Sequence, residues 1–357
     1  MQKKTIALAL ASLASGATFA QSNVTIYGVA DAAYVYSSGD RANNTGHAKY
    51  SGIDSGKLSG SRIGFKGEED LGTGLKAVFV LEFGMAVDEN TALESTRQSF
   101  VGLNSDKLGQ IALGRQYAPG FNASIRADAF SAATAASSLS FLQTAASNTI
   151  IGTSSARINN SVTYRSPNLG GFVVSAIYGF GETTVDTVAD SLFGAGLNYT
   201  NGPLNIDAVY HTRRASTKTI AGRVSTHDDI NERFLGASYD FKIVKLFASY
   251  QDQKDSNGTS TNHASNRIWG VGATVPVLTN GKVHVAYTDL SWDRPGAGDS
   301  GAWSLGYTHA MSKRTTLYTT FSQVSNDSNA PVAAGFSATR AVGEKNNTFT
   351  AGIRHTF

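Results

Sequence analysis

His227-Asp228-Asp229, followed by Glu232, is the densest group of acid–base or metal-ligating side chains in the chain. Such a set could hold a divalent cation or relay a proton if a turned loop aimed its oxygens inward. It lies in a polar stretch without a glycine-turned liganding pattern, so it reads as a solvated loop. The seven histidines show no HExxH spacing, and no serine sits in a nucleophile-elbow motif. Cysteine is absent, which removes thiol nucleophiles, thiolate metal sites and CxxC redox chemistry. Gly72-Thr73-Gly74 lacks the third glycine of a phosphate cradle and opens a strand rather than a helix. No enzyme and no cofactor are expected. The charges that remain are scattered singly along alternating segments, and those segments must explain them.

Alternation is the dominant pattern. Val24, Ile26, Ala30 and Tyr34 alternate with Thr25, Tyr27 and Asp31; Leu75, Ala77, Phe79, Leu81 and Phe83 alternate with Lys76 and Glu82. A period of two puts the apolar set on one face of a strand and the polar set on the other. Asp31, Lys66, Lys76 and Glu82 thereby fall on the wet face. Similar segments centre on Ile63, Val101, Ile111, Val162, Val174, Leu197, Ile206, Ala237, Leu246, Val271, Val285, Leu305 and Leu317. The last, Thr348 to Phe357, alternates to its terminal aromatic residue. That makes sixteen strands, many with Tyr, Trp or Phe at one end of the apolar face; Trp269 and Trp303 read as belt anchors. A lipid-facing barrel with a wet interior has this signature, and its average composition conceals both faces.

Export fits the same picture. Lys3 and Lys4, the apolar run Thr5 to Leu13 and the small residues up to Ala20 read as a cleaved signal, residues 1–20, followed by a single domain over 21–357. The apolar run is too short for a spanning helix, and no later window is long enough. The formal net charge is +3, or +1 without the two signal lysines, and no basic run is interleaved with aromatics; nucleic acid is not an expected partner.

Connections alternate in length. Short turns such as 70–74, 166–171, 200–203, 278–281 and 311–314 are rich in Gly, Asn, Asp and Pro. Longer polar stretches, Ser37–Gly60, Arg214–Glu232, Asp252–Asn266 and Ser325–Asn347, read as loops. Short turns inside and long loops outside is the outer-membrane arrangement. One connection differs. From Tyr117 to Ala156 the chain is built of Ala, Ser and Thr with spaced Phe121, Phe130, Leu139, Phe141 and Leu142, and carries charge only at Arg126 and Asp128. A long loop of small and apolar residues suits packing on a surface, and the inner barrel wall offers one; the alternative, a solvated extracellular loop, would be expected to be more polar.

Several blocks carry a resemblance. Val24-Thr25-Ile26-Tyr27-Gly28, residues 61–72 from Ser61-Arg62-Ile63-Gly64-Phe65, residues 109–116 ending Gly114-Arg115-Gln116, and residues 160–167 around Arg165 resemble Gram-negative general diffusion porins. The closing Gly352-Ile353-Arg354-His355-Thr356-Phe357 is similar to the betaproteobacterial branch. The resemblance covers the mature chain. It implies an all-β, transmembrane antiparallel barrel of 16 strands whose third loop folds into the lumen. It implies a homotrimer in the bacterial outer membrane, among lipid and lipopolysaccharide, passing small hydrophilic solutes and inorganic ions. By motif position it also implies that Arg62, Arg115 and Arg165 are wall arginines at the constriction, with Asp128 as the opposing acid. The commoner acidic loop motif of the family is missing; Ala118-Pro119-Gly120-Phe121 stands there instead. A thinned acid side leads to an expected weak anion preference. The competing readings are arginines merely paired with Glu68, Glu82 or Asp31 across strands, a substrate-specific channel for a small anion, and an outer-membrane barrel hydrolase.

Overall fold

A computed structural model describes residues 23–40, 46–90, 93, 95–182, 188–220, 223–255 and 265–357. The export segment read at 1–20 lies outside these residues. Six strands precede the long loop: β1 (Asn23–Asp40), β2 (His47–Ser55), β3 (Arg62–Gly72), β4 (Leu75–Gly84), β5 (Thr96–Ser105) and β6 (Gly109–Tyr117). After it come β7 (Arg157–Arg165), β8 (Phe172–Gly179), β9 (Leu192–Asn201), β10 (Leu204–Ile220), β11 (Arg223–Asp240) and β12 (Lys245–Asp255). The sheet is completed by β13 (Asn266–Val277), β14 (Gly281–Trp292), β15 (Ser300–Ala310), β16 (Thr315–Asn326) and β17 (Lys345–Thr356). All pairings are antiparallel, and the ring closes where β17 meets β1 from Val29↔Thr356 to Gly39↔Asn346.

These 17 strands make sixteen staves. One edge of β1 pairs its upper part with β2 (Ala32↔Ser55 to Asp40↔His47) and its lower part with β3 (Asn23↔Glu68 to Val29↔Arg62). Between β2 and β3 the chain leaves the wall. Gly56, with φ +70, begins the departure. The Asp31 carboxylate then accepts from Leu58 N (2.9 Å) and Ser59 N (2.6 Å), and from the Tyr318 hydroxyl at 2.6 Å. Asp31 therefore faces inward as expected but is fully covered.

Side chains sort as a membrane demands. Val24, Ile26, Val101, Leu113, Leu235, Val271 and Leu305 are exposed on the outer face. Near the loop rim Trp269 packs on Tyr287 and Trp303 on Phe321; near the turn rim Phe172 packs on Tyr199 and Tyr239 on Phe241. Tyr and Trp at such positions place an apolar ring in lipid and a polar edge in the interface. Among the described residues no helix is long and apolar enough to cross a membrane; this chain crosses with strands.

Two expected loops prove to be paired backbone. Ser37–Gly60 contains the end of β1 and all of β2, and Arg214–Glu232 is a hairpin in which β10 and β11, of 17 and 18 residues, pair out to Ile220↔Arg223. Strands of 9–11 residues suffice to cross the bilayer. The excess carries the hairpin beyond the length that a bilayer requires.

The third loop folds into the lumen. It forms two helices, α1 (Pro119–Arg126) and α2 (Ser138–Ala145). α1 packs on β8 to β11 and α2 on β13 to β15. Leu139, Phe141 and Leu142 sit against Ile268, Leu290, Trp292 and Val324, while Ala123, Ala127 and Ile150 sit against Val209 and Phe234. Leu142, Ile150 and Ile151 are wholly buried, and each such side chain contributes roughly 1.5–3 kcal/mol. Asp128 ties the bend between the helices: its carboxylate accepts from Phe130 N (3.0 Å), Ala132 N (2.7 Å) and Ser137 Oγ (2.6 Å). Burial pushes that carboxyl above the ordinary aspartate range, against the pull of its three donors.

Two substitutions test this frame. A Cβ at Gly28 would meet the Phe357 ring and come within 2.7 Å of the Arg62 carbonyl oxygen; Gly28→Val should weaken closure by about 1–3 kcal/mol, read as a lower urea midpoint of the refolded barrel in detergent. Asp128→Ala should leave the barrel intact but loosen the loop by about 1–3 kcal/mol, seen as added open-channel noise and faster loop proteolysis.

Candidate pore constriction

The third loop covers the inner wall from β8 to β15, so the arc from β3 to β7 is the wall that faces it. Register decides which charges point inward there. Thr25↔Lys66, Val29↔Arg62 and Gly64↔Glu82 share the inner face with Asp31 and Tyr27. A register shift between Leu81 and Phe83 then displaces β5, and Arg97 enters the same group.

One carboxylate holds two arginines, and a tyrosine hydroxyl links them to a third. Glu82, 5% exposed, accepts from Arg97 Nε at 2.6 Å and from the Tyr27 hydroxyl at 3.0 Å, and Arg62 Nε lies 3.7 Å from its other side. Arg62 also donates to Gly60 O at 2.9 Å. Arg97 Nη2 reaches the Tyr117 hydroxyl at 2.9 Å, and Arg157 Nε reaches it at 3.3 Å with its guanidinium 5.5 Å from the ring centroid. Tyr117 in turn stacks on Phe121 of α1, with centroids 3.5 Å apart and planes within 10°. The cluster is therefore bolted to the root of the inserted loop. Charge-assisted bonds of this kind are short and stiff, and they fix guanidinium planes that would otherwise roam.

The residues singled out from sequence fall in different places. Arg62 belongs to this cluster and contacts Glu82, the cross-strand pairing that competes with a pore role. Arg115 has the parity of the outward Ile111 and Leu113; its guanidinium braces Thr96 O at 3.0 Å, Arg157 O and the Asn159 side chain. Arg165 points inward but ends β7 at the turn rim, level with Gln110 and Ser175, and is exposed. Asp128 is buried in its own loop and meets none of these arginines. Lys66 is exposed on the inner face with its ammonium 5.4 Å from the Tyr27 ring centroid, and Lys76 pairs with Glu68 at 3.0 Å in solvent. Glu232 is fully buried and bonded to the loop backbone, and the cluster read around it stands in β11. Among the described residues no group of His, Cys, Asp and Glu could hold a metal.

Arg97, Arg157 and Tyr117 were not anticipated. Arg97 sits at a bulge, where alternation loses count. Arg157 and Tyr117 flank the loop, at the two points where period two stops. The available signal was positional: the residues bracketing a 118–156 insertion must face whatever the insertion narrows.

The part of the loop left open to the lumen is neutral. Its accessible side chains include Phe121, Asn122, Ile125, Ser131 and Thr134. Arg126, at the end of α1, donates to Asp207 of β10 at 2.5 and 3.0 Å. A hydrated solute at this level meets guanidiniums on one side and hydroxyls, amides and apolar edges on the other.

Comparison with known proteins agrees with this architecture. A family profile described as Gram-negative porin matches residues 7–329. The chain is 35% identical to outer membrane porin protein 32 of Delftia acidovorans over 368 residues, covering 100% of both chains. It is 30% identical to an outer membrane porin protein of Bordetella pertussis over 371 residues, covering 89% of this chain and 93% of that one. Among solved structures, the anion-selective porin from Comamonas acidovorans superposes with a TM-score of 0.78 at 28% identity, covering 94% of this chain and 100% of the other. The chain belongs to the Gram-negative porin family and is a diffusion channel of the bacterial outer membrane.

Proposed function

We propose that this channel passes small hydrophilic solutes with a preference for anions. One observation carries the reading: Arg62 and Arg97 share a single carboxylate, Glu82, Arg157 joins them only through the Tyr117 hydroxyl, and the inserted loop turns no acid toward them. Low-dielectric walls on both sides concentrate the unbalanced field at the passage. Lys66 extends the same sign toward the turn rim, and Arg165 lies at that rim as a weaker, solvent-screened contributor. Arg115 acts as a brace for the ends of β5 and β7. The similarity to an anion-selective porin points the same way.

We further propose that the barrel works as a homotrimer joined through β3 to β6. The outward residues of these strands, among them Phe65, Phe79, Leu81, Val101, Leu103, Ile111 and Leu113, include no Tyr or Trp, whereas the remaining arc carries the aromatic belts. An apolar arc without interfacial anchors suits a neighbouring barrel better than lipid and lipopolysaccharide.

In a KCl gradient at low ionic strength, the purified channel should give a reversal potential of anion-preferring sign, shrinking as salt screens the wall over about 8–10 Å. Arg62→Gln, Arg97→Gln and Arg157→Gln combined should move it toward cations; Arg165→Gln should move it less, and Asp128→Asn not at all. Cation preference in the unaltered channel would overturn the reading. Val101→Lys with Leu113→Lys should convert trimers to folded, heat-modifiable monomers on gels; trimers that persist would place the interface elsewhere.

A further inference from the structure

Away from the arginine wall, the inserted loop is held to β10 and β11 by a buried chain of hydrogen bonds that runs in one direction. His211 and Glu232 are cross-strand partners, 1% and 0% exposed. Gly120 N, in the first turn of α1, donates to His211 Nε2 at 3.4 Å. On the other side of the ring, Nδ1 lies 3.0 Å from Thr149 Oγ1, and that hydroxyl donates to Glu232 Oε1 at 2.8 Å. Glu232 also accepts from Thr149 N and Ile150 N, each at 2.9 Å. Both arms of the loop, at 120 and at 149–150, thus meet at one imidazole.

The donor and acceptor count fixes the protonation state. Thr149 spends its only proton on Glu232, so its oxygen must accept, and Nδ1 must carry the ring hydrogen. Nε2 must then be a bare acceptor for Gly120. A second proton on the ring would set Nε2–H against Gly120 N–H, two donors with nothing between them. The ring cannot step aside. A Cβ at Gly194 would come within 2.8 Å of its Cδ2, and one at Gly120 within 3.0 Å of its Cε1, so backbone encloses it on both sides.

The charges around it do not relieve the conflict. On β10, Arg213 adds a second cation, its Nε 3.9 Å from Glu232 and its Nη2 on Ser147 O at 3.0 Å. On β11, Glu232 is already saturated by loop donors. Lower on the wall, Asp207 is engaged by Arg126 of α1. β9 and β12 present Gly194 and Gln251, neither of which titrates.

We propose that His211 is the positioning residue of the inserted loop, and that its protonation detaches α1 and closes the channel in acid. Closure follows from the space available: α1 is backed by β8 to β11, so a detached helix can move only toward the lumen, carrying Phe121 off Tyr117 and across the arginine wall. The proposal rests on channel activity and is independent of the sign of ion preference. A second histidine supplies an internal control. His284 Nδ1 lies 3.0 Å from both Ala129 O and Thr274 Oγ1, and Nε2 lies 3.0 Å from Thr308 Oγ1. A carbonyl and hydroxyls can accept from both ring nitrogens, so a doubly protonated His284 keeps its bonds.

The test is single-channel conductance of the full channel in planar bilayers, titrated from about pH 8 to about pH 2.5, a window that takes in the low end of the range for a wholly buried imidazole. The unaltered protein should lose more than about half of its mean conductance on the acid side, reversibly. His211→Gln retains an acceptor for Gly120 and a donor for Thr149 without titrating; it should conduct normally at neutral pH and stay open in acid. His211→Asn is the second variant should the first fold poorly, with heat-modifiable gel mobility as the folding check. His284→Gln should close as the unaltered protein does. An unaltered channel that stays open throughout, or acid closure at an unchanged midpoint in folded His211→Gln or His211→Asn, would overturn the proposal.

Discussion

Hydrocarbon tolerates no unpaired strand edge, and the joint between β1 and β17 is where this chain meets that demand. Every other pairing joins strands close in sequence; this one links Val29–Gly39 to Asn346–Thr356, across nearly the whole chain. It is sealed at its lower end by reciprocal bonds between Gly28 and Phe357, at 3.0 and 3.2 Å. Left open, the two edges would expose backbone N–H and C=O groups to lipid, each costing several kcal/mol. Gly28 lacks a side chain where the Phe357 ring crosses it, so the terminal aromatic can lie flat over the seam. Closure is thereby both a backbone and a packing event.

A closed ring has an inside, and two kinds of surface compete for it. From β3 to β7 the inner face is charged and wet. From β8 to β15 it is partly dry: Val209, Phe234, Ile268, Leu290 and Trp292 point inward and would face water if nothing covered them. The inserted loop covers them. Its polar anchors (Gln143 on Gln251 at 2.8 Å, Ser138 on Thr288 at 2.9 Å) fix register, while the apolar seat supplies most of the adhesion. The narrowing of the pore is thus a consequence of where the wall is greasy.

The strands were legible because lipid on one side and water on the other imprint period two, and all sixteen staves carry it. Its failures are equally physical. Above the bilayer the outer face meets water, so β2 and the upper parts of β10 and β11 lose their apolar side and read as loops. On β13 to β15 the inner face meets the inserted loop, so Ile268 and Trp269 are neighbours of like character on opposite faces. At the bulges near Arg97 and Arg115 the count slips, and with it the side to which an arginine points. Asp128 was legible as the lone central acid of its loop. Its three local donors could not be read, because they depend on a bend that exists only once α1 and α2 are seated.

That bend determines the electrostatics of the passage. A carboxylate exposed on the loop would face the guanidiniums across a narrow gap and cancel much of their field. Turned into the loop, it is spent on two amides and a hydroxyl. The arginines are left with Glu82, which lies beside them on the same wall rather than across the gap. A monovalent ion about 6 Å from one unmatched guanidinium feels roughly 0.7 kcal/mol at the dielectric constant of water, and about 2.8 kcal/mol at an effective value of 20. The first is comparable to thermal energy; the second enriches an anion about a hundredfold over the same position without the charge, and depletes a cation by as much. Real passages lie between, since the lumen is wet and its walls are not. The proposed selectivity would therefore depend less on how many arginines line the wall than on how much water the loop allows beside them.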